Sequence, residues 1–147
     1  MKITATLTNE KFDYFNQHYK AGIVYHTDNK NCVYGTLTAI LNAKSLSQTE
    51  LDILSKRFGC KYLLFPHQIL IITKAKATCN PDDTFDFVKG KRIVESRCKE
   101  KLYRKIKKML QYVYDYRVYN ACDFYDNVLH YDYLITKEEQ HIDKLTQ

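Results

Sequence analysis

Residues 79–114 read CNPDDTFDFVKGKRIVESRCKEKLYRKIKKMLQYVY, and the architecture turns on this stretch. Asn80-Pro81-Asp82-Asp83 gathers turn-forming residues, so the chain reverses there. Beyond Gly90, residues Ile93, Val94, Cys98, Leu102, Ile106, Met109, Leu110 and Val113 recur at three- and four-residue steps. That period predicts a long helix with one apolar stripe, which must pack on something.

The segments upstream supply a sheet for it. Residues 2–8, KITATLT, alternate like a half-buried strand, and Asn9 then reads as the cap of a short helix carrying Phe12, Phe15 and Tyr19. Residues 32–41, CVYGTLTAIL, have the β-branched and apolar content of a strand. Ser47-Gln48-Thr49-Glu50 forms a capping box ahead of Leu51, Ile53, Leu54 and Phe58, and Gly59 ends that helix. KYLLF (61–65) and QILIITKAKAT (68–78) read as two strands bent at Pro66-His67. The expected fold class is therefore α+β, a small antiparallel β-sheet core with C-terminal α-helices. One domain is expected over residues 1–147, β-rich to about 79 and helical from about 88 to 145. Residues 111–133 are dense in tyrosine, a polar helical tail follows from Lys137 to Leu145, and neither an internal repeat nor a low-complexity linker is read.

Composition narrows the class. Apolar residues make up 45% and charged residues 27%, with four Gly and two Pro, the balance of an ordinary globular protein, which leaves disorder as the minor reading. No run approaches the roughly 18 apolar residues of a spanning helix, and MKITATLTNE lacks the apolar core of a secretory signal, so a cytoplasmic protein with no membrane partner is expected. The five cysteines lie far apart with no C-x-x-C pair, which speaks against a disulfide framework or a zinc site.

Charge points to an anionic partner. Ten of the twenty residues from Lys89 to Lys108 are Lys or Arg, against Glu95 and Glu100. On a helix Arg97, Lys101, Arg104 and Lys108 line one flank of the apolar stripe. Two readings fit this row: a phosphate-binding surface, and a solvated face that keeps the protein soluble. Tyr103 and Phe65 are the aromatic candidates for stacking on a base, although thirteen tyrosines also serve as ordinary core and surface residues. Catalysis finds less support. Nucleophile elbow, phosphate-binding glycine loop and H-E-x-x-H helix are all missing, and the five histidines fall in separate elements. Asp82, Asp83 and Asp86 stand where carboxylates cap a helix start. No enzyme, metal or cofactor is expected.

The string from Ala77 to Phe87, ATCNPDDTFDF, followed by Gly90-Lys91-Arg92 and Arg97, resembles small phage-encoded proteins and looks most like the Thoeris anti-defence proteins that act as sponges for cyclic ADP-ribose signals. The resemblance implies a β-rich core followed by helices, association into a homo-oligomer, and a cyclic nucleotide held without cleavage. It carries ligand contacts over to Asn80 and Arg97. An asparagine amide pairs with a base edge, and a guanidinium stacks on a base or forks onto a phosphate, so both residue types suit a nucleotide. The tyrosine-rich segment and the helix around Leu51 have no counterpart in that pattern. The resulting expectation is a phage-type anti-defence protein that sequesters a cyclic nucleotide in a site including Asn80, Arg97, Lys101 and Arg104. The rival is a basic nucleic-acid-binding module, or an inhibitor of a nucleic-acid-guided bacterial defence system. A hydrolase of a nucleotide signal ranks third.

Overall fold

The computed structural model describes residues 2–12, 17–63 and 67–146, with side chains from Lys20 onward. Strands β1 (Lys2–Phe12), β2 (Gln17–Thr27) and β3 (Cys32–Asn42) come first, then helix α1 (Gln48–Phe58). The short β4 (Lys61–Leu63) and β5 (Gln68–Thr78) lead to a 60-residue helix, α2 (Phe87–Thr146). All strand pairs are antiparallel, in the order β1-β2-β3-β5-β4. This is the expected α+β class, with one continuous helix after the sheet.

The start of the chain differs from its sequence reading. Instead of a short helix capped by Asn9, β1 continues to Phe12, and Tyr19 lies in β2. The register of β1 against β2 shifts between Leu7 and Glu10. A bulge there accommodates Asn9, a residue with turn-like preferences, without ending the strand. Phe15 lies outside the described residues.

The remaining sheet follows its alternation. Odd-numbered residues Ala21, Ile23, Tyr25, Val33, Leu37, Ala39, Leu41, Ile69 and Ile71 are buried, while Tyr34, Ile40 and Ile72 on the even face are exposed. One face of the sheet is thus covered and the other open. Ser47 and Glu50 complete the capping box, Gly59 takes the left-handed conformation (φ 66°), and its N–H reaches Ser55 O. Between these ends α1 buries Leu51 and Leu54. The Tyr62 hydroxyl donates to Asp52, tying β4 to this helix.

The first part of α2 lies in a groove of small side chains. Gly35 pairs with Ala75, next to Val33 with Ala77. A Cβ on Gly35 would come 2.2 Å from Val94 Cγ1, and one on Gly90 would come 2.7 Å from Val33 Cγ2. Glycine at both positions is what lets helix and sheet approach so closely. Val94, Cys98, Leu102, Ile106 and Met109 are buried along the stripe. The buried Thr73 hydroxyl donates to Cys98 O at 3.1 Å. Burial pushes the Cys98 thiol above its ordinary pKa, so it stays neutral. The chain divides into two compact units, Met1–Leu110 and Gln111–Gln147. No helix among the described residues is long and apolar enough to cross a membrane.

Candidate functional site

Three local devices converge at the end of the sheet where β3 begins and β5 ends. The β2–β3 connection is held by Asp28, whose Oδ1 accepts from the N–H groups of Lys30, Asn31 and Cys32 at 2.9, 3.0 and 3.0 Å. These bonds, that of Cys32 foremost, hold the Asp28 carboxyl below its usual pKa. Asn29 adopts a left-handed conformation (φ 58°), which asparagine tolerates. The second device crosses between strands: Cys79 N–H donates to Asn31 O at 2.6 Å, fixing the exit of β5 against this loop. The third is the turn before α2. There Asp83 N–H donates to Asn80 O, and Asp86 caps the helix by accepting from Lys89 N–H at 3.1 Å.

These devices frame a cleft of about 490 Å³. Val33, Ala77, Gly90 and Ile93 give it an apolar lining. Its polar groups are Asn31, Thr78, Asn80, Asp83, Thr84, Asp86 and Lys89. The size falls within the range of small-molecule sites, as does an apolar floor with a few convergent polar groups. Because Asp86 occupies the helix N-terminus, the positive end of the α2 dipole is complemented from within the chain.

The residues singled out from sequence separate here. Asn80 lines the cleft. Arg97 and Lys101 do not: Arg97 Nη1 donates to Lys76 O at 2.6 Å and Lys101 Nζ to Lys74 O at 2.5 Å, both on β5. Arg104 pairs with Glu100 at 2.6 Å, and Tyr103 is an exposed residue of α2 outside the cleft lining. Phe65 lies outside the described residues. Two further cations of the basic run also have partners. Lys99 meets Glu95 at 3.5 Å, and Lys91 lies 5.3 Å from the Tyr25 ring centroid and 5.9 Å from that of Phe87. Much of the positive charge is therefore engaged locally with carbonyls, carboxylates and rings.

Sequence reasoning did not find Asn31, Thr84 or Lys89. The Asp28-Asn29-Lys30-Asn31 run signals a turn, but its meeting with Cys79 follows from the pairing of Cys32 with Thr78, which only the sheet register fixes. Among the described residues no group of three or more His, Cys, Asp or Glu side chains is arranged to hold a metal ion. Comparisons with protein-family models, curated proteins and solved structures give no match to this chain.

Proposed function

We propose that this protein binds a small nucleotide-type ligand in the cleft between the β2–β3 loop and the turn before α2, and releases it chemically unchanged. The observation that carries this reading is the convergence of Asn31, Asn80 and Lys89 around an apolar floor, on a backbone fixed by the Asp28 and Asp86 carboxylates. Amides pair with a base edge, Asp83 accepts from sugar hydroxyls, Lys89 meets a phosphate, and the apolar floor takes the face of a base. With two carboxylates and one cation lining it, the cleft favours a ligand rich in hydroxyl and amine donors over a bare polyphosphate. Sequestration of a cyclic nucleotide of the cyclic ADP-ribose class, as the resemblance in residues 77–97 implies, is the role that fits this chemistry.

Titration calorimetry with cyclic ADP-ribose tests the reading, followed by denaturation and chromatography of the ligand. Binding with the ligand recovered intact is expected. Asn80→Ala and Lys89→Ala should each weaken it by roughly tenfold or more, the value of a lost hydrogen bond to a polar or charged group. Arg97→Ala should leave affinity within a few fold, since that guanidinium serves β5. Recovery of a cleaved product would make the protein a hydrolase. Absence of small-ligand binding, with salt-sensitive binding of an oligonucleotide shared evenly along Arg97, Lys101, Arg104 and Lys108, would replace this reading with the nucleic-acid one.

A further inference from the structure

The unit Gln111–Gln147 carries a feature that the cleft does not use. Tyr114, Ala121, Val128, Ile135 and Ile142 stand seven residues apart, and Phe124, Tyr131 and Leu145 occupy the fourth place of the same heptads. Arg117 and Glu138 hold the two remaining fourth places. All of these residues lie on α2. Apolar side chains at the first and fourth places of a seven-residue repeat form the seam of a coiled coil, not the broader stripe of a helix packed on a sheet. Here that seam is exposed: Val128 is 56% accessible, Ile135 57%, Leu145 71% and Phe124 72%.

We infer that this segment pairs with the same segment of a second copy of the chain, as an antiparallel two-helix coiled coil. The repeat selects another coiled-coil helix as occupant, and the charge pattern selects an identical one running the opposite way. Residues 111–147 contain three cations, Arg117, Lys137 and Lys144, among seven carboxylates. Setting Val128 level with Tyr131 of the other copy brings Lys144 level with Asp115, and sets the seam residues Arg117 and Glu138 beside Ile142 and Ala121 of the other copy, not beside like charges. In a parallel pair each cation would instead meet its own counterpart, and each carboxylate likewise. The antiparallel pair is isologous and closes with two-fold symmetry. Full burial of an aromatic side chain removes about 150–250 Å² from water. Six aromatic and ten aliphatic seam residues in the pair therefore reach the roughly 1,000 Å² that a specific interface needs.

Sedimentation of the full chain tests this directly, with a dimer expected. Ile135→Asp should raise the dimer dissociation constant on the order of a hundredfold or more, as loss of a central interface anchor does. Tyr133→Asp, also on an exposed residue but on the outer side of the heptad, should leave it unchanged. Both variants should keep the parent's thermal melt of the sheet, so a loss of association is not a loss of fold. For orientation, Phe124→Cys and Ile135→Cys are combined with Cys122→Ser and mildly oxidised. Peptide mapping should find position 124 joined to position 135 of the other copy. A monomeric parent, a higher-order species, equal effects of Ile135→Asp and Tyr133→Asp, or bonds joining 124 to 124 would each overturn the inference.

Discussion

Between Val94 and Met109, helix α2 buries its apolar stripe, whereas from Tyr114 to Leu145 the same helix leaves an apolar stripe in water. Apolar content does not separate the two regions. The first stripe meets a groove built by Gly35 and Ala75, while the second belongs to a separate compact unit in which residues 121–146 are all exposed. Their surroundings also differ in sign. Residues 1–110 contain 20 cations and 10 carboxylates, a net of +10, and residues 111–147 contain 3 and 7, a net of −4, which together give the +6 of the chain. Burial of an amphipathic helix is thus decided by the shape that faces it and not by its own period alone.

The largest expected effect breaks this comparison at its centre. Leu102→Asp places an unpaired charge in the packed stripe and should destabilise unfolding of the sheet unit by about 4 kcal/mol or more. Ile135→Asp should change that transition by less than about 0.5 kcal/mol, the value of an exposed site. Equal losses in denaturant titrations would show that the two stripes are not distinct.

The close approach of helix and sheet gives the next effect. Gly35→Ala forces its new methyl against Val94 and should cost about 1–3 kcal/mol, as overpacking does. Combined with Val94→Ala, the cost should be less than the sum of the two single changes by roughly 0.5–3 kcal/mol. An additive double-mutant cycle would deny the contact.

Much of the fold was legible because local chemistry specified it. Ser47 with Glu50, Gly59 and the stripe from Val94 to Met109 all lie in contiguous sequence, and each stands in the structure as read, while Pro66 of the expected bend lies outside the described residues. Asn9 misled because its turn preference is met by a bulge in β1, which depends on pairing with β2. The site was half legible. Asn80 belongs to a visible turn, but Asn31 and Lys89 reach it through strand register and a helix cap. The cationic row looked like a ligand surface because sequence shows charge without its partners. Carbonyls of β5 are invisible as acceptors until the helix is laid beside the strand. The seven-residue repeat beyond Tyr114 was present in the sequence, but the density of tyrosines obscured its period.

A smaller effect tests the helix start within the packed unit. Ser47→Ala removes the hydroxyl that accepts from Glu50 N–H and should cost about 1 kcal/mol in chemical denaturation. The smallest concerns pH. Since the folded-state pKa of Asp28 is depressed, its contribution is present above the unfolded value of about 3.9 and is lost as pH falls through the folded value. Asp28→Ala should therefore melt slightly below the parent at neutral pH, with the gap closing in acid. A gap constant from pH 7 to pH 2 would assign the effect to something other than the carboxylate.

The short β4 has a consequence for how the protein behaves at high concentration. It pairs with β5 only at residues 68–70, and among the described residues no strand lies on that side of β5 from Ile71 to Thr78. Arg97 and Lys101 occupy two of the carbonyls along this part, those of Lys76 and Lys74. An open strand edge recruits other chains, and positive side chains laid along it prevent that. Two side chains of α2 therefore guard this edge of β5, and neutralising both is expected to raise light scattering of concentrated solutions even if the melting temperature does not move.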